Sequence, residues 1–486
     1  MSLFIRKPLD QLLAQAEDSE KSLKRSLNAT NLVALGIGAI IGAGLFSITG
    51  VAAAANAGPA ITISFMVAAL GCAFAGLCYA EFASMIPVAG SAYTYSYATL
   101  GEFIAWIIGW DLVLEYALGA ATVSISWSRY LVKFLEHYDI HIPHYLAMSP
   151  FDTATLADGS VVNGMVNLPA VIIVVAVSLI LIKGIQESAF VNAIIVMLKV
   201  SVVLVFIVLG WGYINPDNYV PYIPDNNGTF GEFGFSGIIR AAGIVFFAYI
   251  GFDAVSTAAQ ESKNPKRDMP IGILGSLVVC TILYILFAHV LTGLANYKEF
   301  AGQDGIAPVA VAISHTPYVF LQQAIILAIL AGYTSVILVM LMGQSRVFYS
   351  MSNDGLLPAF FSEVHPKFKT PYKSNLLFMV FVSVFAAFVP ARVVGEMVSI
   401  GTLLAFVLVC AGVWVMRVKM PDAPRAFKTP LVPLVPILGI IICFGMMAFL
   451  PADTWIRLIV WMAIGIVLYF VYGKKHSHLR KNNTIK

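Results

Sequence analysis

The chain has 486 residues, 59% of them from the hydrophobic set and only 11% charged, with a formal net charge of +3 and a mean hydropathy of +0.86. Soluble domains carry roughly a quarter charged residues, so water is not the main solvent of this chain, and a soluble enzyme is excluded. Its basic residues stand in short clusters rather than stripes, which leaves no electrostatic footprint for nucleic acid.

In chain order, the first 26 residues mix acids and bases ahead of any apolar stretch, unlike a signal peptide, and are expected to stay in the cytoplasm. Apolar stretches long enough to cross a hydrocarbon core, about 20 residues each, then recur with short polar breaks. Twelve spans are expected, at about 31–57, 60–86, 101–133, 166–183, 188–213, 236–260, 270–295, 317–351, 374–391, 394–416, 432–450 and 453–472. The sequence therefore predicts an all-α membrane protein, and the even count places both ends of the chain on one side. Counting Lys and Arg over alternate loops puts 22 of 29 on the side of the termini and six on the other, with Lys199 inside a span. By the positive-inside rule both tails are cytoplasmic. The five cysteines, Cys72, Cys78, Cys280, Cys410 and Cys443, lie in apolar runs without metal-ligand spacing, and read as packing residues.

Two spans interrupt the helical pattern. The first contains Gly36, Gly38, Gly42 and Gly44 within nine residues, and the sixth reads Phe246-Phe247-Ala248-Tyr249-Ile250-Gly251-Phe252-Asp253. Glycine weakens a helix by roughly 1 kcal/mol against alanine, and a charge at membrane depth is costly. If the chain is two five-helix repeats, 31–213 and 236–416, these spans are equivalent. Five is odd, so the second repeat enters the membrane inverted. The remainder divides into a cytoplasmic segment 1–30, two added helices in 432–472 and a cytoplasmic tail 473–486.

A broken helix leaves free N–H groups on one half and free C=O groups on the other, in a medium without water. The N–H groups of Gly42, Ala43 and Gly44 suit a carboxylate at the positive end of a half-helix. Carbonyls near Ile40, Phe247, Ala248 and Ile250 suit an ammonium group. Together they describe the two ends of a free amino acid. The alternative is that the glycines serve only close helix packing.

GIGAIIGAGLF in span 1, PVAGSAYTYSY after span 2, FFAYIGFDAVSTAAQE in span 6, NPKRDMP after it, GQSRVFYSMSNDGLLP after span 8 and the closing PLVPLVPILGI resemble the amino acid-polyamine-organocation transporters. Within them, the chain resembles the prokaryotic members of the cationic amino acid transporter group. The resemblance implies the leucine-transporter fold with helices 1 and 6 discontinuous, alternating access, and proton-coupled uptake of amino acids with a cationic or broad range. One departure stands out. Relatives often carry Thr or Ser between the two glycines where this chain has Ala43, which removes a hydroxyl near the carboxylate.

Charges within spans are functional candidates by default. Lys199 has no acid within a helical turn of span 5. In proton-coupled relatives a lysine on helix 5 resembles a replacement for a sodium ion, with its ammonium group on helix 1 carbonyls. Desolvation destabilises the charged form of a buried base, which suits loading and release of one proton; a snorkelling lysine is the alternative. Asp253 and Glu115 could balance a basic substrate side chain, relay the transported proton, or act structurally. Asp111 and Glu81 read as structural or gating charges nearer the cytoplasmic end, and Glu261, Lys263, Lys266 and Arg267 as solvated charges or gate contacts. Phe247 is placed to cover a ligand or simply to pack, Met340 and Thr402 are candidates for the side-chain subsite, and His289 reads as structural.

The expected function is proton-coupled secondary transport, with amino acid and proton as partners, the bilayer as environment, no nucleic acid and no cofactor. No phosphate-binding GxxxxGK[ST] loop is present, which argues against ATP-driven pumping. Sodium coupling through Thr334 and Ser335, amino-acid exchange, and a channel or receptor are the competing readings; a channel needs a polar pore that the spans do not supply. The short loops fit a multi-pass protein of a prokaryotic cell membrane.

Overall fold

The computed structural model describes residues 3–8, 27–86, 91–155, 160–184, 189–257, 262–301 and 307–484. Seven helices among the described residues are long and apolar enough to cross a membrane, and five more apolar helices are shorter. In chain order they are α1 (Ala29–Ile40), α2 (Ile61–Met85), α3 (Glu102–Glu136), α4 (Leu168–Ile182), α5 (Ala189–Trp211), α6 (Gly234–Val245), α7 (Pro265–Leu294), α8 (Val319–Asn353), α9 (Tyr372–Phe388), α10 (Ala391–Lys419), α11 (Leu434–Phe449) and α12 (Ala452–Leu468). Uniform apolarity produces them: with no water at membrane depth, a helix is the way a single segment satisfies its own backbone. Leu, Ile, Val and Phe on the outer faces stay exposed, as Val208 at 69% and Val467 at 59% show; this is the surface that hydrocarbon would cover.

The starts and stops follow local chemistry. Asn28 caps α1 by accepting from the Asn31 N–H at 2.9 Å, and Asn167 does the same for α4 through Ala170; both satisfy N–H groups that a helix start leaves without partners. Proline at the first positions opens α4 and α7, where its missing N–H costs nothing.

Among the described residues, several elements stand outside the expected spans. Ser91–Thr99 forms a helix within what the hydropathy pattern makes a loop, because Tyr93, Tyr95 and Tyr97 and the Thr and Ser between them bury inside the protein rather than against lipid. Pro308–Ser314 is a short helix before α8. A small antiparallel hairpin, Thr153–Thr155 with Val161–Asn163, lies between α3 and α4.

Helices α3 and α8 run antiparallel along their length. Gly119 receives the Met340 thioether, Gly343 the Tyr116 ring, and Gly109 the Met351 thioether. Small residues thus let long neighbours interdigitate at close helix separation.

Both ends of the chain meet on one face. The Glu102 N–H donates to Ile5 O at 2.9 Å, and the Lys7 ammonium pairs with Asp354 at 2.7 Å. From the other terminus Arg480 donates to Glu102 at 2.5 Å, and the His478 N–H to Asp354 O at 3.0 Å. Gly101, at φ +101°, permits the approach: a Cβ there would stand 2.7 Å from the Phe4 backbone.

Candidate functional site

The glycine-rich stretch stops α1 in the middle of the helix assembly. Ile41 turns to an extended conformation (ψ 109°), and the chain resumes helical form at Gly44 in a π-helical turn to Ile48. The N–H groups of Leu45 and Phe46 both turn back to Gly42 O at 3.2 Å. Gly42, Ala43 and Gly44 therefore head the second half-helix, where N–H groups have no partner in their own helix.

The sixth span breaks at the matching place. After α6 the tight turn Phe246–Tyr249 ends in an extended Ile250, then Gly251 at φ +116°, a conformation that side-chain-bearing residues avoid. The chain turns helical again at Ala254–Thr257.

The two breaks touch through their backbones. A Cβ on Gly44 would fall 2.2 Å from Ala248 Cα, and one on Gly251 would fall 2.7 Å from Ala39 O. These glycines are required by contact between the segments, which helix weakening alone would not have shown.

Carbonyls at the end of α1 are held by different helices. The Lys199 ammonium of α5 donates to Gly38 O at 2.8 Å, and its stem lies against Gly332 of α8, where a Cβ would be 3.0 Å from Lys199 Cε. Tyr284 of α7 donates its hydroxyl toward Ile40 O and Ala248 O, each at 2.9 Å. Phe247 O accepts from the Ile250 N–H at 3.3 Å, and the Phe247 side chain is buried.

Below the second break lies a set of buried acids. Asp253 accepts from the Tyr116 hydroxyl at 2.7 Å. Glu115 stands beside Asp253 and Thr402, yet neither of its carboxylate oxygens completes a hydrogen bond among the described residues. The same holds for both oxygens of Asp111 and for the amide of Gln344. Gln344 is one helical turn from Met340, on the stripe of α8 that faces α3. Thr402 turns its hydroxyl onto Val398 O of its own helix at 3.0 Å.

The half-helix that follows Gly44 is fastened separately. Tyr130 of α3 donates to Phe46 O at 2.5 Å, and Ser47 shares a hydrogen bond with Tyr333 of α8 at 2.9 Å. Phe46 packs edge-on to Phe287 with ring centroids 5.8 Å apart.

The structure thus brings together Ile40, Gly42, Ala43, Gly44, Phe247, Ala248 and Ile250 at the breaks, with Lys199 bonded just before the first and Glu115 beside Asp253 after the second; Met340 lies on the α3–α8 seam against Gly119. Thr334 directs its hydroxyl to Leu330 O of its own helix at 2.9 Å. His289 stands apart, stacked on the Tyr219 ring at 4.8 Å, and Glu81 is bound to Arg417 and Arg425 on the face that carries the termini. Glu261 lies outside the described residues. Residue-by-residue reading missed Tyr284, Tyr116, Gln344, Tyr130 and Tyr333. The available signal was a polar group alone in an apolar span, the signal that did expose Lys199; tyrosine is common enough in membrane helices to hide it.

The family model described as amino acid permease matches residues 27–469. The branched-chain amino acid permease BcaP of Bacillus subtilis (strain 168) is 47% identical over 99% of both chains. The methylthioribose transporter of the same organism is 43% identical over 99% of this chain and 100% of its own. Cationic amino acid transporter 4, vacuolar, of Arabidopsis thaliana is 36% identical over 87% of this chain and 68% of its own. These relatives are permeases and transporters rather than enzymes, and with its match running from α1 to the end of α12 the chain belongs to the amino acid permease family of the amino acid-polyamine-organocation superfamily.

Proposed function

We propose that the protein is a proton-coupled symporter that takes up free amino acids, of broad range including cationic ones, across the cell membrane by alternating access. One observation carries the reading: two interrupted helices meet backbone to backbone at Gly44 and Ala248, with a lysine ammonium bonded to a carbonyl three residues before the first break. In this reading the N–H groups of Gly42, Ala43 and Gly44 take the α-carboxylate, and the carbonyls of Ile40, Phe247, Ala248 and Ile250 take the α-ammonium. Phe247 covers the ligand, and Met340 faces its side chain.

Lys199 carries the coupled proton. Protonated, it donates to Gly38 O and holds the end of α1; deprotonated, it has two hydrogens and no charge for the same carbonyl. That difference gives one proton leverage over the segment that also binds substrate, and a ligand shifts a conformational equilibrium only through such differential contacts. Glu115 and Asp253 serve as counter-charges for a basic side chain or as the next proton acceptors.

The architecture proposed with this function is the leucine-transporter fold: repeats 31–213 and 236–416 in inverted orientation, the pair 432–472 added, and tails 1–30 and 473–486 cytoplasmic. It is supported by the breaks falling in the first helix of each half and by the two tails meeting on one face. A second reading, preference for branched aliphatic side chains, is favoured by the apolar Met340 and Phe247 and by the name of the relative at 47% identity.

The deciding experiment is uptake of each of the twenty amino acids into proteoliposomes, with and without proton and sodium gradients. Accumulation driven by an inward proton gradient and indifferent to sodium is the expected result. Sodium dependence, or exchange without gradient-driven accumulation, would replace the coupling scheme. Competition between arginine and leucine in the same vesicles separates the two substrate readings.

A further inference from the structure

Tyr284 is fully buried and lies at the convergence of both breaks. Its ring is wedged between Phe65, with centroids 5.6 Å apart, and Tyr249, at 5.3 Å, so the hydroxyl has little freedom to turn elsewhere. That hydroxyl carries one hydrogen, and two carbonyl oxygens, Ile40 O and Ala248 O, stand 2.9 Å from it. One proton is shared between two acceptors. These are carbonyls to which the proposed function assigns the substrate ammonium, and an ammonium brings three hydrogens and a full charge to the same place.

A transporter that performs net uptake must return across the membrane without its amino acid, whereas one that exchanges returns loaded. Closing around the breaks without ligand buries two carbonyls that have lost their helical partners, and a buried acceptor left without a donor is costly. We infer that the Tyr284 hydroxyl is the stand-in for the substrate's amine: it satisfies Ile40 O and Ala248 O whenever no amino acid is seated, so that the unloaded carrier can close and reorient. The arriving ammonium displaces it or shares the carbonyls with it. This rests on the proposed function and adds to it a positioning residue specific to one branch of the cycle.

Tyr284→Phe keeps the ring and its packing and removes only the donor. The test compares two rates in proteoliposomes, using the amino acid that the wild-type protein transports best. The first is net uptake driven by a proton gradient into vesicles without internal substrate; the second is exchange into vesicles preloaded with the same unlabelled amino acid. We expect net uptake to fall at least about tenfold, the effect of leaving buried acceptors unsatisfied, with exchange changed less than about threefold. Retained exchange also shows that the variant is folded and binds substrate. Equal loss in both modes makes the hydroxyl a general structural or substrate contact and overturns the inference, as does no loss in either. A wild-type protein inactive in both modes overturns the transport reading, and the stand-in role with it.

Discussion

Buried charge is treated in opposite ways at the centre of the molecule and on the face where its termini meet. On that face Glu81, fully buried, accepts two bonds from Arg417 at 2.9 and 3.0 Å, one from Arg425 at 3.0 Å and one from the Thr429 N–H at 2.8 Å. Glu102 is likewise enclosed by Arg480, Tyr97, Tyr469 and Ser477. At the centre, Glu115 and Asp111 are as deeply buried, yet none of their oxygens completes a hydrogen bond among the described residues. A saturated carboxylate is an anchor, since any movement breaks several bonds at once. An unsaturated one is held at a cost, which a proton, water or ligand can relieve, so the contrast separates groups that hold the helices from groups that can take part in a cycle.

The largest effect that would sharpen this contrast is expected at Gly44. Gly44→Val places branched carbons where the Ala248 backbone already stands, forces the breaks apart, and should lower uptake at least about a hundredfold; uptake above a tenth of wild type would show that the breaks need not touch. Lys199→Ala comes next. It should leave substrate binding measurable by thermal shift while abolishing accumulation driven by a proton gradient, and unchanged accumulation would remove this lysine from coupling. On the saturated face, Glu81→Ala should destabilise the detergent-solubilised protein by about 3 kcal/mol, because two arginines lose a buried partner. The pH dependence of the remaining transport should match that of wild type; a displaced pH profile would place Glu81 in the proton path and erase the distinction. The smallest effect is expected from Glu115→Gln. With no ion pair to break, it should cost little stability, within about 1 kcal/mol of wild type, while altering either arginine affinity or the proton dependence of uptake by a few fold. A large loss of stability would make Glu115 an anchor like Glu81.

Much of the arrangement was readable from residue order. Twelve apolar stretches fall where helices α1 to α12 form, because hydrophobic length is a property of consecutive residues. The interruptions near Gly42 and Gly251 were readable as well, since glycine and a mid-span charge act on the backbone locally. The helix Ser91–Thr99 was not, because its residues are polar enough to read as a loop and only neighbouring helices bury them. The site was half legible: Lys199 shows itself as a charge without company in its own helix, whereas its bond to Gly38 O depends on α5 lying against α1.

Sequence alone determined that this chain is a membrane protein and which two segments fail as continuous helices, because hydropathy and backbone freedom are summed along the chain. Tertiary packing alone decided that Gly44 meets Ala248, that Tyr284 reaches both breaks, and that Glu81 is saturated while Glu115 is not. Those outcomes turn on distances of a few ångströms between residues dozens to hundreds of positions apart, set by how helices stack rather than by what any one helix contains.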